Sequence, residues 1–168
     1  MPFAYSIPPF RRWGSLLVAL LFVMLMVALV LHGPILQFDH YHEFADQTQW
    51  GELSHAGDVI SNLGFLAVGL WACWAYRQHW SEIHAHRRGA LLCFIASLVA
   101  TSWCSSYYHL APDDLRLFWD RLPIATACAS LLALYRPSYQ MSVRRAFWEL
   151  VVALGIAFAS VWWWQQTA

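Results

Sequence analysis

Five apolar stretches leave this chain little choice of fold: Ser15–Leu31, Val59–Tyr76, Ala90–Tyr107, Leu117–Tyr135 and Ala146–Trp164. Each runs 17 to 19 residues, close to the roughly 20 that an α-helix needs to cross the hydrocarbon core of a bilayer. Lipid offers no partner to backbone N–H and C=O groups, so such a segment must bond to itself as a helix. Composition agrees, because only 12% of the residues are charged, about half the ~25% of a typical soluble domain. The expected fold is all-α, a polytopic transmembrane helical bundle of about five spans, and a soluble enzyme is excluded. Eleven Trp and seven Tyr suit a chain with two membrane interfaces, where amphipathic rings settle. The formal net charge is zero, which gives no basic surface for nucleic acid.

Every basic residue is an arginine, and their placement orients the bundle. Arg11, Arg12, Arg77, Arg87, Arg88, Arg136, Arg144 and Arg145 fall in connections on one side, and only Arg116 and Arg121 on the other. By the positive-inside rule the N-terminus is cytoplasmic. Residues 1–14 then form a cytoplasmic segment, 15–168 the bundle with outside loop 32–58, and the C-terminus lies outside. In a two-membrane bacterium the expected location is the inner membrane, since outer-membrane spans are β-barrels. The first stretch follows Arg11 and Arg12 as a signal peptide would, but it is long for an h-region and ends without an A-x-A-like site. An uncleaved helix is the expectation. Cys73, Cys93, Cys104 and Cys128 all lie in apolar segments without CxxC spacing, so buried free thiols are expected rather than a disulfide framework.

Chemistry concentrates at one helix end. Ser105 and His109 are four residues apart on the third stretch, hence on one helix face. A short turn later Asp120 lies near the start of the fourth stretch. Antiparallel neighbours would gather a hydroxyl, an imidazole and a carboxylate at one depth, and ionisable groups in a membrane are costly enough to suggest function. Plainer roles exist for each: Asp120 as a helix N-cap neutralised by Arg121, Ser105 bonded back to the carbonyl of Thr101, and His109 as an interfacial residue beside Tyr107 and Tyr108.

Ser105-Ser106-Tyr107-Tyr108-His109, followed by Asp120 fifteen residues after Ser105 and preceded by Asp58-Val59-Ile60-Ser61-Asn62-Leu63, resembles the alkaline ceramidase family. That family belongs to a membrane-hydrolase superfamily that includes the progestin/adiponectin receptors. The likeness spans roughly Asp39 to Tyr135. It implies a seven-helix core, a catalytic zinc and a lipid amide such as ceramide as substrate, reached from within the membrane. It further implies that His109 is a zinc ligand, Asp120 the base acting on the zinc-bound water, and Ser105 a stabiliser of the oxyanion. The chemistry is coherent, since zinc with three protein ligands keeps an open position and acidifies its water. The family's His-x3-His on its last helix has no counterpart, because no histidine follows His109. The expectation is therefore a C-terminally truncated relative, or one that has lost the chemistry and serves as a receptor-like or structural membrane protein.

Other polar features have simpler expectations. Asp39, Glu43, Asp46 and Asp58 offer oxygens to a hard cation such as calcium, but the family's Asp-Trp-Cys-Glu opening is missing, and a solvated acidic loop is expected. His40-x-His42 and His84-x-His86 look metal-like, yet are expected to be surface residues. Trp162-Trp163-Trp164 reads as an interfacial anchor.

Overall fold

The structure, a computed structural model, describes residues 36–135 and 142–167, together with 20, 23, 24, 26–28 and 31–34. The stretch Ser15–Leu31 lies largely outside the described residues. Its described members Leu20, Val23, Met24, Met26, Val27, Ala28 and Leu31 are helical and exposed. The chain forms two compact units, Met1–Leu36 with Thr167–Ala168, and Gln37–Gln166. The second carries the elements that bear on function.

In order these are a two-stranded antiparallel ribbon, β1 (Gln49–Trp50) and β2 (Leu53–Ser54), then helices α1 (Ala56–Ser61), α2 (Leu63–Gln78), α3 (Ala85–Leu110), α4 (Asp114–Tyr135) and α5 (Val143–Thr167). Four segments are long and apolar enough to cross a membrane: Ala56–Gln78, Ala85–Leu110, Asp114–Tyr135 and Val143–Thr167. They mark the chain as an integral, multi-pass membrane protein. They match the last four apolar stretches of the sequence, each extended by a few residues. The extension is physical: hydropathy marks the lipid-facing centre of a helix, while its ends carry polar residues such as Arg87 and Asp114 and continue into the interface. The ribbon within the loop was not expected. Gly51 closes it at φ 60°, a backbone region open to glycine without steric cost.

Small residues bring the helices together. On α3 the buried residues include Ser97, Thr101, Ser102 and Ser105, and on α4 Ala129 and Ser130. Membrane helices gain little from apolar burial alone, and short side chains let their backbones approach. The hydroxyls of Ser97, Thr101, Thr126 and Ser130 each donate to the carbonyl four residues earlier, at 2.7–2.8 Å, so none is left bare in lipid. Gly69 shows how close α2 and α3 come. A Cβ there would stand 2.7 Å from Val99 Cγ2 and 3.2 Å from the Val99 nitrogen. Asp113 caps α4, accepting a 2.7 Å bond from the Arg116 N–H. Asp120 therefore lies inside the helix, not at its cap. Pro123 also lies inside α4, and without an N–H it leaves the carbonyl of Trp119 without its helical donor.

Helix α5 buries Leu150 and Val161 and leaves most of its large apolar side chains exposed, as lipid-facing helices do. The four cysteines are free, as expected, but not fully buried. Cys73, Cys93 and Cys104 are half-buried and Cys128 is exposed, because the apolar stretches face lipid rather than a protein core.

Candidate functional site

The turn between α3 and α4 and the start of α1 lie at one end of the bundle, and the sequence-predicted residues meet there. Ser105 is buried on α3, and Asp120 lies on the neighbouring helix α4, which packs against α3. Ser97 and Thr101 bond back along the same helix. Arg121 has partners of its own. Its Nη2 donates to Tyr41 Oη at 2.8 Å, and its guanidinium lies 3.7 Å from the Trp164 ring centroid. That contact gives the C-terminal tryptophans a partner as well as an interface.

Asp58 and Asn62 join the cluster without having been predicted. Asp58 Oδ2 stands 3.3 Å from His109 Nδ1, near enough for charge to act, though the pair lacks hydrogen-bond alignment. Asn62 is buried, at 6% exposure. Asp58 and Asn62 are four residues apart on a descending helical path, and His109 and Ser105 four apart on an ascending one. Side chains at that spacing share a face, and Asp58 of the one pair meets His109 of the other. The matching i, i+4 spacing was readable in the sequence. What could not be read was that the faces meet.

Three polar atoms of this cluster are buried without a hydrogen-bond partner: Asn62 Nδ2, His109 Nδ1 and Asp120 Oδ1. Buried polar groups are usually paired, because each orphan costs about 1–3 kcal/mol. His109 and Asp120 stand on the neighbouring helices α3 and α4, and Asn62 at the junction of α1 and α2.

The loop before α1 closes over this end. His42 bridges two helices, with Nδ1 3.0 Å from Tyr108 Oη and Nε2 3.1 Å from Asp114 Oδ1. A carboxylate only accepts, so Nε2–H donates to Asp114 and Nδ1 accepts from the Tyr108 hydroxyl. Gln37 adds a 3.2 Å bond to the same carboxylate. Phe44 plugs the middle, its ring centroid 4.5 Å from His109 and 5.3 Å from Tyr108. His42 is thus a tether, not the surface residue expected of it. His40 remains exposed and pairs with Glu43 at 2.8 Å.

The acidic residues of the loop are not a uniform solvated set. Asp46 accepts from the Thr48 hydroxyl and N–H at 2.5 and 2.9 Å, and from the Asp58 N–H at 2.9 Å. These bonds, the Thr48 hydroxyl first, draw its carboxyl down to about 2. Oxygens so engaged serve the loop rather than a cation. Gly57 fits closely here, since a Cβ would lie 3.0 Å from Asp46 Oδ2. His55, just before α1, takes φ 50°, a left-handed backbone that costs about 1–3 kcal/mol and persists only where neighbours enforce it. Its Nδ1–H donates to the Asp46 carbonyl at 2.6 Å, and Phe44 packs edge-on at 5.0 Å.

Between α3 and α4 a groove of about 370 Å³ is lined by Cys93, Ser97, Cys104, Trp119, Pro123 and Thr126, among others. It follows the turns of α3 from Cys104 back to Cys93 and of α4 from Trp119 to Thr126.

A zinc centre of the kind that the resemblance implies needs three ligands. His109 supplies one imidazole. Among the described residues no three His, Cys, Asp or Glu side chains are arranged to hold a metal ion. The described residues do not by themselves fit the metal. Comparison of the chain with protein-family models, with curated proteins and with solved structures gives no match.

Proposed function

We propose that this protein is a membrane-embedded, ceramidase-like hydrolase of lipid amides, with Ser105, His109 and Asp120 as its working residues. One observation carries the proposal. The hydroxyl and imidazole of the motif share a face of α3, the carboxylate stands on the neighbouring helix α4, and His109 Nδ1 and Asp120 Oδ1 are both buried without partners. The apolar groove between α3 and α4 suits the hydrocarbon part of a lipid whose amide sits at the cluster.

The residues divide the work by chemistry. Asp120, inside the helix and bearing an orphaned Oδ1, takes a proton from water as it attacks the amide carbonyl, a role in which a positioned base gives about 10²–10⁴-fold. The same carboxyl then returns the proton to the departing amine, so the amide C–N bond breaks as the new C–O bond persists. The Ser105 O–H donates to the developing oxyanion, where one fixed donor is worth about 10²–10³-fold. Zinc belongs to the proposal with His109 as one ligand, while the two further histidines of the family pattern are absent from this sequence. No step above depends on it.

The arginine distribution supports the orientation. Arg77, Arg87, Arg88, Arg144 and Arg145 lie at one end of the described helices and Arg116 and Arg121 at the other. With the arginine-rich end cytoplasmic, the chain has five spans counting 15–31, a cytoplasmic N-terminus and a site on the outer side. In a bacterium with two membranes it belongs to the inner one.

A second reading follows from the lack of a three-ligand metal group among the described residues: a receptor-like or structural membrane protein that binds at the same cluster without hydrolysis. The two separate in one experiment. Purified protein in lipid nanodiscs, given a ceramide-type amide with and without zinc, is assayed for fatty-acid release and bound metal. The hydrolase proposal expects His109→Ala to lose both together. Activity kept in His109→Ala without metal overturns the zinc role, and a wild type with neither metal nor activity favours the binding protein.

A further inference from the structure

We propose that Asp58 is the positioning residue for His109, fixing which ring nitrogen carries the proton and which one faces the reacting lipid. This rests on the hydrolase proposal only for its consequence in catalysis. The geometry stands without it.

The starting point is the contact itself. Asp58 Oδ2 lies 3.3 Å from His109 Nδ1, and no other described group partners that nitrogen. A carboxylate accepts but cannot donate, so it favours the tautomer with the proton on Nδ1 and leaves Nε2 with its lone pair. Nε2 is then the nitrogen available to a metal ion or substrate. Working histidines commonly have their second nitrogen held this way by a carboxylate. The pair is imperfectly aligned at rest, as such pairs often are before substrate binds.

Asp58 is itself held, which separates a built contact from a chance one. Its N–H donates to Asp46 Oδ2 at 2.9 Å, and the Asp46 carbonyl takes the 2.6 Å bond from His55. Those bonds fix the start of α1 and keep His55 in its left-handed backbone. Gly57 leaves just enough room for the Asp46 carboxylate to do this. On the far side Phe44 rests 4.5 Å from the His109 ring, tilted by 50°. A loop carboxylate thus holds a helix start, the helix start presents a second carboxylate, and that carboxylate faces the imidazole. Asp120 stands on α4, and its Oδ1 has no partner among the described groups.

The test reads the tautomer directly. The chain is labelled with ¹⁵N-histidine, reconstituted in nanodiscs, and its imidazole nitrogen shifts are recorded, with His109→Gln identifying the His109 signals. The expected result is a proton on Nδ1 in the wild type and in Asp58→Glu. In Asp58→Ala, and to a smaller degree in Asp58→Asn, the population moves toward Nε2–H. An Nε2–H tautomer in the wild type, or no change in Asp58→Ala and Asp58→Asn, overturns the inference. Asp58→Asn keeps the shape of the side chain, so the comparison survives if Asp58→Ala fails to fold. Lipid-amide hydrolysis, followed in parallel, is expected to fall about 10–100-fold in kcat in Asp58→Ala, with little change in KM, as for other groups that orient a working histidine. An inert chain whose His109 tautomer still follows Asp58 supports this inference and overturns the hydrolase proposal. Hydrolysis that continues with an unmoved tautomer in Asp58→Ala does the reverse.

Discussion

The two ends of the helical bundle carry similar residues and use them differently. Each has a pair of alternate histidines, His40 and His42 at one, His84 and His86 at the other. At the arginine-rich end the polar groups are settled locally. Arg88 donates to the carbonyls of Ile83 and Trp80 at 3.0 and 2.9 Å and lies 4.0 Å from the Trp80 ring centroid. His84 and His86 pack edge to face at 5.6 Å, and His86 Nε2 is the only orphaned buried atom found there among the described residues. At the opposite end the partners come from far apart in the chain. His42 reaches Tyr108 and Asp114, Tyr41 reaches Arg121, and Asp58 reaches His109. That end also concentrates the orphans. One end is a helix connection finished with its nearest neighbours, and the other is built across the fold and left with capacity unspent. Long-range polar assembly with unsatisfied members is what distinguishes a site from a turn, since ordinary structure pairs its buried polar atoms.

The sharpest way to break this contrast is to remove Asp120. Asp120→Ala is expected to lower lipid-amide hydrolysis by about 10²–10⁴-fold, the worth of a positioned base, while detergent-solubilised protein keeps its helical circular dichroism. Ser105→Ala is expected to cost about 10²–10³-fold in kcat. Gly69→Leu probes packing instead of chemistry. The side chain would drive into Val99, and overpacking of this kind destabilises by about 1–3 kcal/mol, measurable as easier unfolding in a denaturing-detergent titration.

The loop supplies a pH test. The Asp46 carboxyl titrates near 2 in the folded protein against 3.8 ordinarily. A lowered carboxyl stabilises above the unfolded value, and that contribution is lost as pH falls from about 4 toward 2. Amide hydrogen exchange at Thr48, Gly57 and Asp58 should therefore speed up across that window in the wild type, and the window should vanish in Asp46→Asn. The smallest effect belongs to the arginine-rich end. His84→Ala is expected to leave hydrolysis unchanged and stability within about 0.5 kcal/mol, as surface changes do. A large loss of hydrolysis there would erase the contrast between the ends.

The helices were legible in the sequence because membrane spans are fixed by length and hydropathy alone. The placing of Ser105 and Asp120 on adjacent helices was also legible, because a short turn forces α3 and α4 to be antiparallel neighbours. The closing of the loop was not. Nothing local in His40-x-His42 says that one imidazole points to solvent and the other to Tyr108 and Asp114. The role of Asp46 was hidden for the same reason: its bonds to Thr48 and Asp58 depend on a ribbon of two-residue strands, too short to leave an alternating pattern. Asp58 and Asn62 carried a signal in their spacing, but which face of α1 and α2 meets α3 is decided by the close approach at Gly69. The cysteines erred in the opposite sense, because apolar neighbours in a membrane chain imply lipid, not burial in protein.

The most direct measurement is fatty-acid release from a ceramide-type lipid by purified protein in nanodiscs, wild type beside Asp120→Asn. The account predicts release by the wild type and its loss in Asp120→Asn, a change that preserves the shape of the carboxyl and removes its basicity. Equal release by both, or none by the wild type, would contradict the assignment of the cluster as a hydrolytic site.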